Sequence, residues 1–389
     1  MTQRKASRKD IDSDEDTVAG NRLRLLPDGP AARPALLEAV AAAKTSIRMF
    51  YYTFSGDGIG TELRDALIDA RTRGVRVDLA IDDFGSSDTP KGFFDPLVEA
   101  GAEFCRFHPR YGRRYLLRNH QKMAIFDEQR ALIGGFNIAD AYFDKERADS
   151  WRDLGLIIDG PAVAHLVGYF DKLFAWIKQP KSRVRELWRM LPRLTQHEGD
   201  VRWIFGGPSR RVSPYAAQVR ADFLKVSRLE MMMAYFAPNR RFVRLIGAVG
   251  KRGTVRLINA GKTDIALSRA AAWSTYGRLL RRKVHIAEFQ PRALHAKLII
   301  ADDAVYIGSG NFDMRSLYLN LEVMLRIEDA TFADRMRALF EREWGKSDEV
   351  EPAAYRKLAT RWNRFRWRFA YWVFASLDFA MARSLTSRS

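Results

Sequence analysis

Two of the six histidines open the same sparse pattern. His120 begins HQKMAIFD, which ends at Asp127, and His295 begins HAKLIIAD, which ends at Asp302. Both read H-x-K-x-x-x-x-D. In an extended strand, residues two apart share a face, so His120 points with Lys122 and His295 with Lys297. A neutral imidazole can attack phosphorus and hold it covalently. A second, protonated imidazole can give a proton to the leaving alcohol and later take one from the incoming alcohol or water. Lysines beside them can stabilise charge on the non-bridging oxygens.

The repeat continues past the octamers. IGGFN brings Gly134, Gly135 and Asn137; IGSGN brings Gly308, Ser309, Gly310 and Asn311. Asn137 lies 17 residues after His120 and Asn311 lies 16 after His295. Small residues let a strand end approach a ligand closely, and an asparagine amide can donate to an anionic oxygen. Two His, two Lys and two Asn brought together would form a site for one phosphate. The scheme requires no metal and no metal-ligand spacing occurs, so no cofactor is expected. The terminal Asp127 and Asp302 stand at an odd offset from their histidines. That puts them on the opposite strand face, about 20 Å along, where a structural role by the turn is expected. Asp153, in SWRDLGLIID, and Glu322, in NLEVMLRI, are the better candidates to fix the histidine tautomers. They lie 33 and 27 residues past their histidines, on or beside strands that could neighbour the motif strand.

The elements that must position these residues also occur twice. Apolar residues at helical spacing in PALLEAVAAAKTS and GIGTELRDALIDARTRG alternate with strand-like runs IRMFYYTF, VRVDLAID and EFCRFHP, followed by HQKMAIFD and ALIGGFN. The second half repeats this order with SPYAAQVRADFLKVS, RLEMMMAYFAP, NRRFVRLIGAVGKRG, TVRLINAG, VHIAEFQ, HAKLIIAD and AVYIGSGN. The pattern predicts an α/β fold of two lobes related by a pseudo-twofold axis, each a mixed, mostly parallel sheet flanked by helices. The expected divisions are a disordered tail over 1–20, a first lobe over 21–185, a linker over 186–200, a second lobe over 201–350 and a C-terminal segment over 351–389.

The chain has 389 residues, 47% of them hydrophobic, which is enough for two lobes. Its net charge of +18 points to an anionic partner: nucleic acid, an anionic membrane or a phosphate-bearing substrate. The single cysteine, Cys105, rules out a disulfide framework and fits a packing role. No apolar run reaches the roughly 18 residues of a spanning helix, so membrane contact would be peripheral.

The doubled motif, with its small-residue turn and asparagine, resembles the phospholipase D superfamily. Within it the chain is similar to bacterial cardiolipin synthases of the phospholipase D type. RNHQKMAIFD, ALIGGFNIADAY, WRDLGLIIDGPAV, VDLAIDDFGS, EFQPRALHAKLIIAD and GSGNFDMRSLYLNLE carry the resemblance, which spans roughly residues 20 to 350. It implies a phosphatidyl-enzyme intermediate and transfer of the phosphatidyl group to an alcohol, with phosphatidylglycerol as acceptor. It also implies a place at the cytoplasmic face of the bacterial inner membrane. It carries over His120, Lys122, Asp127, His295, Lys297 and Asp302 as the catalytic set, with His120 as nucleophile and His295 as acid and base. Asn137, Ser309 and Asn311 match its downstream phosphate-binding positions. Two departures stand out. Many bacterial cardiolipin synthases begin with two spanning helices, which this chain lacks, and Gln121 stands where arginine is common. A hydrolase giving phosphatidic acid and a superfamily nuclease are the competing readings; +18 suits nucleic acid, the C-terminal segment argues for lipid.

Two segments are candidates for contact with an anionic phospholipid membrane. The loop RFHPRYGRRYLLRNH places Arg106, Arg113, Arg114 and Arg118 among tyrosines and leucines just before the first motif, and VRELWRMLPRL has similar character. The stretch RWNRFRWRFAYWVFASL sets Arg364 and Arg368 among Trp367, Trp372 and other aromatics. A basic flank with an aromatic body reads as an in-plane interfacial helix. Docking of this helix on the protein itself is the alternative.

Overall fold

The computed structural model describes residues 15–108, 117–179, 182–210, 212–263 and 266–373. Two eight-stranded sheets dominate it. The first runs β1 (Glu15–Val18), β2 (Asn21–Leu26), β9 (Gly155–Asp159), β7 (Arg130–Gly134), β6 (Lys122–Phe126), β3 (Ser46–Tyr51), β4 (Arg76–Asp82), β5 (Glu103–Phe107). The second runs β10 (Val201–Gly206), β19 (Glu322–Glu328), β17 (Ala304–Gly308), β16 (Lys297–Ala301), β11 (Arg228–Met233), β13 (Thr254–Ala260), β14 (Val284–Phe289), β20 (Ser347–Glu349). Without the edge strands β1 and β20 the two orders match strand for strand. The duplication read from the motifs is therefore a duplication of topology.

The expectation of mostly parallel sheets needs correction. Within the two large sheets, parallel pairing is confined to β3–β4–β5 and β11–β13–β14, where helices cross over between strands. The remaining pairs of these sheets are antiparallel, including the motif hairpins β6–β7 and β16–β17. The reason is local: a two- or three-residue turn can only join antiparallel neighbours, whereas a parallel pair needs a long crossover.

Each motif strand is covered on both faces. Met123 and Ile125 of β6 enter a core shared with Leu298 and Ile300 of β16, Trp203 and Phe205 of β10, and Val323 and Leu325 of β19. Ala124 and Phe126 face the other way, into a separate core under the helices Gly29–Ala42 and Gly58–Thr72. That is why the octamers read as continuous apolar runs rather than alternating ones. The two sheets thus pack through one common core. The helix Ala162–Lys178 adds Leu166, Phe170 and Leu173 to it, and the helix Val184–Leu194 adds Leu187 and Leu191.

Two further expectations change, and two helices not read from the sequence appear within the expected lobes. Residues 15–18, placed in the disordered tail, form β1 and pair with β2 from Glu15↔Arg24 to Val18↔Asn21. The stretch expected as a linker lies largely within the helix Val184–Leu194, whose apolar face is buried in the shared core and so is not free for a membrane. The helix Ala162–Lys178 and the helix Ala330–Trp344 extend the two lobes beyond the strands read from sequence. Cys105 lies half-buried on β5, and burial pushes its thiol up to about 12, consistent with packing.

Candidate active site

The lobes meet where the motifs begin. The short strand β8 (Trp151–Arg152) of the first lobe pairs in parallel with β15 (Ala293–Leu294) of the second. The backbone N–H of His295 donates to the Arg152 carbonyl at 2.8 Å. Across the pseudo-axis the same thing happens in reverse: the N–H of His120 donates to the Leu321 carbonyl at 3.0 Å, and the N–H of Leu321 to the Arg118 carbonyl at 2.9 Å. Each histidine is therefore pinned by the opposite lobe. Both are nearly buried, at 8% and 4% exposed, and both line one cavity of about 360 Å³.

The acids are crossed in the same way. His120 Nδ1 lies 3.0 and 3.1 Å from the two carboxylate oxygens of Glu322, in the second lobe. His295 Nδ1 lies 2.6 Å from Asp153 Oδ2, in the first. The two acids read from sequence are thus at the histidines, but each serves the histidine of the other lobe, not the one it follows in the chain. Both carboxyls are fully buried, at 0% exposed. Burial pushes Glu322 up to about 7 and Asp153 up to about 6. Burial also drives both imidazoles well below their ordinary value, assisted at His120 by Lys122 and Lys297 and at His295 by the same two lysines. Lys122 is lowered to about 7, again chiefly by burial.

The post-motif glycines now have a mechanical reason. A Cβ on Gly135 would fall 2.0 Å from Asp153 Oδ1, so only glycine leaves room for that carboxylate. Its counterpart in the second lobe is Ser309, whose hydroxyl donates to Glu322 and accepts from the Val323 N–H at 3.0 Å. The longer acid is braced by a hydroxyl; the shorter one is seated against bare backbone. Ser309 therefore steadies the acid and does not line the cavity, contrary to the phosphate-binding expectation. Asn137 and Asn311 do line it. Asn137 Nδ2 donates to the Tyr142 hydroxyl at 2.8 Å and its Oδ1 accepts from the Thr53 N–H at 3.2 Å. Asn311 Oδ1 is buried without a partner among the described residues.

Lys122 and Lys297 are each 1% exposed. Lys122 Nζ donates to the His120 carbonyl at 2.6 Å and sits 5.0 Å over the Tyr52 ring. Lys297 Nζ lies 2.8 Å from His295 Nδ1 and also donates to the His295 carbonyl. The motif aspartates are elsewhere, so their grouping with the catalytic residues is corrected. Asp127, at φ 50°, accepts from the backbone N–H of Thr45 at 2.7 Å, Lys44 at 2.9 Å and Ser46 at 3.0 Å. Asp302, at φ 47°, accepts from the N–H of Arg228 at 2.8 Å and Ser227 at 3.2 Å. They tie the motif hairpin to the start of the neighbouring strand. Those N–H donors hold Asp127 below its usual range although burial acts against them.

Sequence reasoning missed the walls of the cavity. Tyr142 and Trp151 stack at 5.7 Å and both stand nearly perpendicular to the His295 ring, at 5.1 and 5.3 Å. Tyr52 covers His120 at 4.8 Å. Arg118 and Arg315 add two cations to the lining. Arg118 was assigned to a membrane-facing loop; it is instead 5% exposed, inside the cleft, with its guanidinium 4.5 Å from the Phe84 ring. Asp82 accepts from the Asn119 N–H at 2.7 Å, holds the segment entering His120, and is raised to about 6 by burial. Only the run of aromatics near each motif could have hinted at these walls.

Of the expected membrane contacts, Arg113 and Arg114 lie outside the described residues. Arg364 and Arg368 are exposed on the helix Arg361–Trp372. Trp367 turns inward, 5.2 Å from Trp273 and 5.7 Å from Tyr355, so a membrane contact there is corrected to a docking contact. Ala370 is buried against Ala237 and Ala271, and the Tyr371 hydroxyl donates to the Pro238 carbonyl at 2.7 Å. Trp372 points out, in line with Trp362, Phe365 and Phe369; these four rings are 50–65% exposed.

Two α/β lobes of one topology, each lending an acid to the other's histidine beside a lysine, define a phosphoryl-transfer enzyme of the phospholipase D superfamily. A profile described as "Cardiolipin synthase, PLD-like domain" matches residues 36–178 and 223–344, well over half of the chain, and the chain belongs to that family. It is 29% identical to Cardiolipin synthase B of Salmonella typhimurium over 332 residues, which covers 82% of this chain and 79% of that one. It is 28% identical to Cardiolipin synthase 1 of Bacillus cereus over 361 residues, covering 89% and 69%. A crystal structure of phosphatidylserine synthase from Haemophilus influenzae shares the fold at TM-score 0.68 with 14% identity, covering 90% of this chain and 94% of that one. No helix among the described residues is long and apolar enough to cross a membrane.

Proposed function

We propose that the chain is a phosphatidyltransferase of the cardiolipin synthase type, working on anionic phospholipid at the cytoplasmic face of the bacterial inner membrane. The observation that carries the reading is the crossed pair of histidine–carboxylate contacts at one buried, cation-lined cavity, in a chain of this family. His120, neutral through burial, attacks the phosphorus of a donor phospholipid. A P–N bond forms and the P–O bond to the head-group alcohol breaks. His295 gives that alcohol its proton. The 2.6 Å contact with Asp153 suits His295 to this role, because a short charge-assisted bond stabilises the imidazolium. A bound phosphate adds negative charge that raises the imidazole's proton affinity against the burial that lowers it. In the second half, a hydroxyl of phosphatidylglycerol passes its proton to His295 and attacks phosphorus. The P–N bond breaks, cardiolipin leaves, and His120 is neutral again. Lys122, Lys297, Asn137 and Asn311 hold the non-bridging oxygens.

Access to lipid comes from the C-terminal helix. Trp362, Phe365, Phe369 and Trp372 recur at spacings of three, four and three, and so form one exposed stripe opposite the docked face. Rings beside Arg364 and Arg368 suit the interface of an anionic bilayer. The helix docks on Ala237 and Pro238, two and three residues past Tyr235, which lines the cavity. The stripe and the cavity mouth therefore belong to neighbouring parts of the second lobe.

The test is incubation with phosphatidylglycerol vesicles and mass spectrometry of the lipids. Cardiolipin with free glycerol supports transfer. Phosphatidic acid alone makes the chain a hydrolase. Cleavage of nucleic acid with no lipid product makes it a nuclease and refutes the proposal.

A further inference from the structure

A second cationic depression, of about 580 Å³, lies on the second lobe and shares no residue with the catalytic cavity. It is lined by Arg240, Arg244, Lys251, Arg278, Arg281 and Arg282. Arg240, Arg244 and Lys251 recur at spacings of four and seven along the helix Arg240–Arg252 and share a face. The three other arginines come from the end of the helix Ala266–Leu280 and the turn after it. No carboxylate lines the depression, and none of the six forms an ion pair with a described carboxylate. Some arginines elsewhere on the described surface are paired, as Arg33 is with Glu62 and Arg130 with Asp159. Six cations gathered without a counter-charge repel one another, an arrangement that an anionic ligand relieves. Two of them are also held in place: Arg244 Nε donates to the Arg240 carbonyl at 3.3 Å, and Arg282 to the Arg244 carbonyl at 3.4 Å.

The depression adjoins the C-terminal helix. Arg240 and Arg278 act electrostatically on the phenol of Tyr371, whose hydroxyl is anchored at Pro238, immediately before the helix that carries Arg240. Arg281, Arg364 and Arg368 act together on Tyr355. The rim of cations therefore continues onto the helix that bears the exposed aromatic stripe. A volume of this order accommodates a molecule rather than a single small ion.

We propose that this depression is an accessory site for the phosphate head group of an anionic bilayer phospholipid, one that anchors the enzyme and is not turned over. The proposal rests on the membrane reading above. The aromatic stripe enters the interface while the six cations take a head group beside it, so the substrate-bearing surface itself recruits the enzyme. Charge complementarity selects an anionic lipid, and the adjoining rings select a bilayer over a nucleic acid duplex, which offers them no apolar phase.

The experiment compares the full chain with its Arg240→Gln/Arg244→Gln/Arg278→Gln variant, and with a second variant, Arg278→Gln/Arg281→Gln. Affinities are measured by flotation on vesicles of phosphatidylcholine alone and of phosphatidylcholine with an equal part of phosphatidylglycerol. Each cation near an anionic leaflet is worth roughly fivefold in affinity, so the triple variant is expected to bind the anionic vesicles about 100-fold more weakly. Binding to phosphatidylcholine alone is expected to stay unchanged. Turnover of a monomeric short-chain phosphatidylglycerol is expected at the parent rate in both variants. Anionic-vesicle affinity within about threefold of the parent in both variants overturns the proposal. So does a larger loss of duplex DNA affinity than of vesicle affinity. A parent protein that turns over the soluble lipid but does not prefer anionic vesicles sinks the accessory site and leaves the enzymatic reading standing. One that prefers them through these arginines, yet converts no phospholipid, does the reverse.

Discussion

Replacing Glu322 by glutamine removes the charge that His120 faces and leaves a side chain of the same length. The carboxylate contacts the imidazole at 3.0 and 3.1 Å in a fully buried setting. A hydrogen bond to a charged group contributes about 1.5–3 kcal/mol, so kcat for phosphatidylglycerol turnover should fall roughly 10- to 150-fold. Vesicle binding should not change, because Glu322 has no exposed surface. The location of the effect is as informative as its size. With only six histidines in the chain, ring resonances of 15N-histidine-labelled protein can be assigned from His120→Ala and His295→Ala. Glu322→Gln should shift the Nδ1 signal of His120 and leave that of His295 in place. Asp153→Asn should do the opposite. If Glu322→Gln moves only the His295 signal, each acid serves its own lobe and the crossed arrangement is wrong. A fall in kcat of less than about twofold would refute the energetic reasoning instead.

Asp127→Ala strips an acceptor from three backbone N–H groups at the motif turn, and should lower stability by about 1–3 kcal/mol in denaturant melts while leaving kcat below the transition nearly intact. A loss of kcat in the folded variant would return Asp127 to the chemistry. The pH profile of kcat/KM should be a narrow bell. Glu322 and Asp153 must be ionised to orient imidazoles, so activity falls as pH drops through about 7 and then about 6; Lys122 must be protonated to hold phosphate, so activity falls as pH rises through about 7. Lys122→Arg should move the alkaline limb upward because a guanidinium stays protonated, and an unmoved limb would assign it to another group. Gly135→Ala drives a Cβ into Asp153, so it should cost about 100-fold in kcat/KM and shift the His295 resonance, while an activity near the parent's would show that the carboxylate can move aside.

How much of this was legible in the sequence varies by residue. The duplicated H-x-K-x-x-x-x-D spacing sufficed to pair His with Lys, and strand parity alone separated Asp127 and Asp302 from the chemistry. Their positive φ and their backbone partners give the separation its physical form. The carboxylates could be named but not assigned. His120 and Glu322 are 202 residues apart, His295 and Asp153 are 142 apart, and contacts at such separations leave no local pattern. The role of Ser309 was hidden because its hydroxyl donates to an acid 13 residues on, at the start of the adjacent strand, and strand pairing is not written in the spacing. Arg118 misled because a basic loop reads alike whether it faces a membrane or a cleft. The parallel sheet was over-read from alternating helices and strands, which describe β3–β4–β5 and β11–β13–β14 well but not the hairpins beyond them. In the C-terminal helix both alternatives hold together, one face docking through Trp367 and Tyr371 and the other exposing its rings.

The exchange of acids between lobes makes the site an interlock. Any parting of the two halves takes both carboxylates from both imidazoles in a single movement, so neither histidine keeps its orienting acid while the other loses it. The same device constrains inheritance. A change of length or shape in one acid is felt by the opposite copy of the repeat, so the two copies of an ancient duplication must keep answering to each other long after their sequences have drifted apart.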